Sequence, residues 1–168
     1  PMTVDSIFRI YSMTKPIIST AAMMLNEDGL IYLNENLDTY IPEFKNMTVS
    51  TEYINKKGQK EERLEDSYNK IKIHNLLNHT SGLTYGTFGN SFAKKRLKSS
   101  EISKLNIEDI SLKQYVKELA KFPLAYNPNT VWEYGRSIEV LGRVIEIASN
   151  KTLDVFLKDK IFKPLDMI

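Results

Sequence analysis

The sequence contains no cysteine, which excludes a disulfide scaffold, thiolate chemistry and Cys-ligated zinc within its 168 residues. No window approaches the run of about 18 apolar residues that a membrane-spanning helix needs. Charge of one sign is also lacking: 23 basic and 21 acidic residues leave a net charge of +2. That balance gives no reason to expect nucleic acid or an anionic surface as a partner. With 7 Gly and 6 Pro, the chain is not low-complexity or collagen-like. What is present, 42% hydrophobic and 26% charged residues, is the composition of a folded domain with a sizeable core. The chain opens on Pro1 without an initiator Met or a signal-peptide layout and closes on Met167-Ile168 without a polar tail, so both ends read as cut.

Hydrophobic spacing organises the chain into mainly helical segments. Residues 13–28 are apolar and rich in small side chains, with Gly29 as a stop, and they predict a helix buried over most of its circumference. Ser12 is placed to cap it, and Pro16 is tolerable in its first turn. Residues 30–44 read as an irregular connection and residues 49–63 as a small hairpin turning at Lys57-Gly58. A short helix is expected over residues 73–79, and the polar stretch 85–106 reads as a surface excursion. Ser111 caps a helix over 112–122, ended by Pro123. Residues 138–149 carry a second strong helical stripe, ended by Asn150, and residues 153–162 form a last helix before Pro164.

Three Ser-x-x-Lys matches occur, at Ser12/Lys15, Ser67/Lys70 and Ser91/Lys94. About one is expected by chance in a chain of this length, so context must separate them. The latter two lie in polar stretches where a lysine is simply solvated. Ser12 and Lys15 open the most apolar helix, and residues i and i+3 share a helix face. A lysine, ordinarily titrating near 10.4, can serve as a base if desolvation or neighbouring charge favours its neutral form. The helix N-terminus favours an oxyanion at Ser12, and backbone N–H groups there can bind one. The same residues equally read as an N-cap and a lysine reaching for water.

Other constellations carry less. The two histidines, His74 and His79, lack the spacing of a His-Glu-x-x-His metal helix, and no Gly-x-Ser-x-Gly elbow accompanies them. His79, before Thr80-Ser81-Gly82, is expected to hold a turn by hydrogen bonds. Trp132-Glu133-Tyr134-Gly135 follows the turn Asn127-Pro128-Asn129; Tyr134 there is either a proton relay or an aromatic anchor, with Trp132 in the core. Lys94-Lys95-Arg96-Leu97-Lys98 reads as a solvated basic face, without interleaved aromatics or a Gly-rich phosphate loop.

Taken together, four segments resemble the serine β-lactamase and penicillin-binding-protein superfamily, in its class C-like esterase branch. They are Tyr11-Ser12-Met13-Thr14-Lys15-Pro16, then Leu76-Leu77-Asn78-His79-Thr80-Ser81-Gly82-Leu83, then Trp132-Glu133-Tyr134-Gly135-Arg136-Ser137, and Pro164-Leu165-Asp166-Met167. They occur in family order over nearly the whole chain. The resemblance implies an α/β sandwich plus a helical domain, of which these residues supply a mainly α part with the short hairpin. It implies a partial domain over residues 1–168, with N-terminal strands and the C-terminal sheet region lying outside it and little activity for this part alone. It assigns Ser12 as acylated nucleophile, Lys15 as base or proton shuttle and Tyr134 as relay to the leaving group, with no cofactor and no metal. The Ser12 backbone N–H would form half of an oxyanion hole.

Two departures from the family pattern stand out. Arg136 replaces the Asn found two residues after the Tyr in class C β-lactamases, which tilts the expectation toward esters. Asp166 replaces the Gly of the family's Pro-Leu-Gly-Met corner. The expected partner is a small-molecule ester or amide, β-lactams included, and not nucleic acid. The alternatives are a β-lactamase or D,D-peptidase, and a helical binding module with a degenerate site.

Overall fold

The computed structural model describes residues 2–3, 5–87, 89–103 and 110–167. Its centre is helix α6 (Ser137–Ser149), whose Val140, Leu141, Val144 and Ile145 are fully buried. Around α6 pack α1 (Thr14–Glu27), α3 (Ile73–Leu77), α5 (Leu112–Leu119) and α7 (Leu153–Leu157). Helix α1 offers Ile18, Ala21, Ala22 and Leu25 to the core, spaced i, i+3, i+4, i+7. The two alanines let its backbone come close to α6, while each buried Ile or Leu side chain contributes roughly 1.5–3 kcal/mol by leaving water. The opposite stripe, including Met13, Pro16, Thr20 and Met23, is exposed, so α1 is buried on one side and not around most of its circumference.

Chain signals set most boundaries. Helix α1 ends in a Schellman motif: Leu30 N–H donates to Leu25 O at 2.9 Å and Gly29 N–H to Asn26 O at 3.0 Å. Gly29 takes φ +71° there, a conformation costly for residues with a Cβ. Ser111 caps α5 by accepting from Gln114 N–H, and Asn150 ends α6 with φ 52°. A turn of π-helix over Lys158–Phe162 continues α7. The irregular stretch after α1 holds only the short helix α2 (Leu37–Tyr40) and a 3-10 turn, Pro42–Phe44.

The hairpin is present and longer than its sequence signal. Strands β1 (Thr48–Ile54) and β2 (Lys60–Asp66) pair antiparallel, with Thr48 opposite Asp66 and Ile54 opposite Lys60. Leu124 joins its edge through Leu124 N–H to Thr48 O at 2.8 Å and Ser50 N–H to Leu124 O at 2.9 Å. The stretch read as a surface excursion holds helix α4 (Phe92–Ser99) and a 3-10 turn, Glu101–Ser103, neither marked in the sequence reading; residues 88 and 104–106 of that stretch lie outside the described residues. Helix α4 is mostly polar and buries Ala93 and Leu97, one turn apart. Helix α3 stops two residues before the expected limit, because His79 takes the left-handed region at φ 57°.

Candidate active site

The chain reaches Ser12 through a 3-10 turn, Tyr11–Met13, that runs directly into α1. Met13, directly before α1, is already helical in its dihedrals, and the Ser12 hydroxyl does not cap the helix. It points sideways instead. Lys15 Nζ donates to Ser12 Oγ at 3.1 Å, and Ser12 Oγ shares a 2.9 Å hydrogen bond with Tyr134 Oη, 122 residues away. Lys15 Nζ also sits 4.8 Å from the centroid of the Tyr134 ring. Tyr11, immediately before the serine, holds φ 45°, a strained conformation for a bulky residue, of the kind that collects at functional sites.

Thus the structure brings together the three residues singled out from the sequence. The helix start around them is more open than expected: Ser12 is exposed and Lys15 half-buried. What surrounds the lysine is a phenol, not a closed apolar pocket. The phenol responds. Hydrogen bonding to Lys15, and next to Ser12, holds Tyr134 below its ordinary value of 10.0, because both donors favour the phenolate. The other two Ser-x-x-Lys matches resolve into structural roles. Ser91 caps α4 by accepting from Lys94 N–H, and Lys70 pairs with Asp38 at 2.7 Å.

Tyr134 is held by the turn that the second resembling segment forms. Backbone bonds of 2.8 Å run from Ala125 N–H to Gly82 O, Asn129 N–H to Thr80 O and Glu133 N–H to His79 O, lacing the tyrosine loop to residues 79–82. Ser81 and Ser137, both buried, share a 2.9 Å bond beneath it. Gly135 is required by contact, since a Cβ there would lie 2.1 Å from Leu83 O. His79 holds the turn through its backbone and not through its ring. Its carbonyl holds the turn, while its ring packs 5.1 Å from Tyr134 and its Nδ1 is buried with no hydrogen-bond partner among the described residues. Burial, then the Lys15 charge, lower the His79 pKa, and Glu139 opposes them. Trp132 is not core: it stacks 6.1 Å from Tyr134 and remains 64% exposed.

Beside Ser12 and Lys15 opens a cleft of about 450 Å³, with Ile18, Tyr85, Leu112, Ile138 and Leu153 as apolar walls and Glu139 as its acid. Arg136 pairs with Glu139 at 3.0 Å and lies 4.3 Å from the Tyr85 ring centroid, so the departure at this position is absorbed by a carboxylate and an aromatic face. Tyr85 and Glu139 were not singled out from the sequence; nothing in spacing marks them, because three separate segments meet there. Among the described residues, no cluster of His, Asp and Glu is arranged to hold a metal ion. No helix among them is long and apolar enough to cross a membrane.

Known proteins resemble this chain along its whole length. The profile of the family described as Beta-lactamase matches residues 1–168. Esterase EstB of Burkholderia gladioli is 32% identical over 169 residues, covering 99% of this chain and 38% of that protein. A lovastatin esterase of Penicillium rubens is 32% identical, covering 98% of this chain and 39% of that protein. Among solved structures, unliganded simvastatin synthase (LovD) from Aspergillus terreus superposes with a TM-score of 0.79 at 28% identity, over 100% of this chain and 39% of its own. The chain therefore spans about two fifths of the length of these relatives. Profile and superposition both run its full length, and on them the chain belongs to the Beta-lactamase family.

Proposed function

We propose that the protein containing this chain is a serine acyl hydrolase acting on carboxylic esters through an acyl-enzyme at Ser12. One observation carries the reading: Ser12 Oγ is bonded at once by Lys15 Nζ at 3.1 Å and Tyr134 Oη at 2.9 Å. With a lysine N–H on one lone pair of Ser12 Oγ, the bond to Tyr134 is the path open to the serine proton. With Tyr134 as phenolate beside Lys15, Ser12 Oγ attacks the ester carbonyl carbon as its proton passes to Tyr134 Oη, and the carbonyl oxygen becomes an oxyanion facing the Ser12 backbone N–H. Collapse breaks the bond to the leaving alkoxide, which takes the proton back from Tyr134. Water then repeats the sequence in reverse on the acyl-enzyme, releasing the carboxylic acid and restoring Ser12. The apolar cleft beside Ser12 suits an uncharged acyl or alcohol group, and the relatives named as esterases support ester over lactam.

Intact-mass measurements on the whole protein with an aryl acetate and with a penicillin test this. Turnover of the acetate with a transient acetyl adduct, and no stable penicilloyl adduct, is the expected result. A long-lived penicilloyl adduct identifies a penicillin-binding type instead, and rapid lactam turnover a β-lactamase. Replacing Tyr134 by Phe is expected to lower kcat about 10²- to 10⁴-fold, the usual contribution of a positioned acid or base.

A further inference from the structure

Beneath the tyrosine loop lies an ion pair that the proposed chemistry leaves unused. Lys94 Nζ contacts Glu133 Oε1 at 3.0 Å, with the two side chains only 15% and 12% exposed. The Thr84 hydroxyl donates to the same Oε1 at 2.5 Å. Lys94 belongs to the basic run that reads from sequence as a solvated face. Here it turns inward, while its neighbour Arg96 goes to Glu62 on the hairpin at 2.6 Å. That second pair, with the buried Ala93 and Leu97, fixes α4 against β1 and β2. Lys94 is therefore projected from an anchored helix.

Glu133 is the residue immediately before Tyr134. Its carboxylate is held by α4 and Thr84, its backbone N–H donates to His79 O at 2.8 Å, and the following Gly135 rests on the Leu83 backbone. The loop is thus clamped on both sides of the tyrosine, and the side chain between the clamps reaches Ser12. Taking a lysine and a glutamate this far out of water gains little net stability, because desolvation offsets most of the attraction. What such a pair supplies is a fixed distance. The Tyr134 to Ser12 bond is 2.9 Å long, and a displacement of about 1 Å carries it beyond hydrogen-bonding range.

We propose that Lys94 is a positioning residue for Tyr134: through its ion pair with Glu133, α4 sets the place of the tyrosine hydroxyl over Ser12. This rests on the reading of Tyr134 as proton relay.

The test uses the whole protein with an aryl acetate. Glu133→Gln and Lys94→Met are each expected to lower kcat about 10- to 100-fold, the scale of a roughly 1 Å misplacement, with KM changed less than about twofold. Lys94→Arg keeps the cation and is expected to recover most of the lost rate. In a Tyr134→Phe background the same substitutions should change kcat by less than about twofold, since the positioned group is gone. The isosteric Glu133→Gln carries the comparison by itself if Lys94→Met does not fold. Unchanged kcat in Glu133→Gln, or an equal loss in the Tyr134→Phe background, overturns the proposal. Wild-type protein with neither ester turnover nor a Ser12 adduct overturns the acyl-enzyme reading and this one with it, which separates the two failures.

Discussion

The phenol of Tyr134 lies between the Lys15 amine and the Ser12 hydroxyl, and both favour its ionised form. The sign follows directly. Partners that stabilise phenolate lower the pKa, so the tyrosinate absorbance of wild-type protein minus that of Tyr134→Phe should titrate below 10. Replacing Lys15 by Met removes the leading contribution, and the midpoint should rise; a midpoint that stays put would contradict the electrostatic coupling of the pair. At this scale spacing alone leaves Ser12, Lys15 and Tyr134 with competing readings, and it is the resemblance of their segments to the family that selects the three residues the structure brings together. The hydroxyl's orientation is not legible. Whether Ser12 caps α1 or faces Tyr134 depends on a 3-10 turn and a positive φ at Tyr11, which no residue type there announces. The exposure of Trp132 has a related cause: an aromatic cluster forms around Tyr134 from segments far apart in sequence, leaving the indole outside and the His79 imidazole within.

Helix α6 is the element on which the others depend, since α1, α3, α5 and α7 all pack on it. Leu141 at its centre is fully buried, and Leu141→Ala is expected to cost about 2–5 kcal/mol in urea unfolding of the whole protein, through lost transfer energy and a residual cavity. A loss under about 1 kcal/mol would mean that the site collapses freely and that α6 is not the tightly packed centre described. The helices with dense apolar spacing, α1, α5 and α6, are legible from sequence because burial and period coincide in them. Helix α4 is hidden because only Ala93 and Leu97 face inward and the rest is charged; its Ser91 cap is its clearest signal. The Asp166 departure also becomes intelligible. It holds φ 54°, the conformation for which glycine is favoured and that Asp tolerates better than most other residues.

At the scale of the molecule, Met13, Pro16, Thr20 and Met23 form an exposed stripe along α1, and Ile7 and Phe8 stand 98% and 64% exposed near its start. An exposed apolar surface of this kind favours association. The isolated 168-residue chain is accordingly expected to bind a hydrophobic dye and to self-associate, and Met13→Lys with Met23→Lys should weaken both effects; unchanged dye binding would place the sticky surface elsewhere. The relatives are more than twice as long, so the proposed activity is one to test on the whole protein. The most direct test of the acyl-enzyme claim is labelling of that whole protein by a serine-trapping phosphonate, followed by peptide mass spectrometry. The account requires one adduct, on Ser12, abolished by Ser12→Ala. An adduct that persists in Ser12→Ala, or maps to another residue, would contradict it.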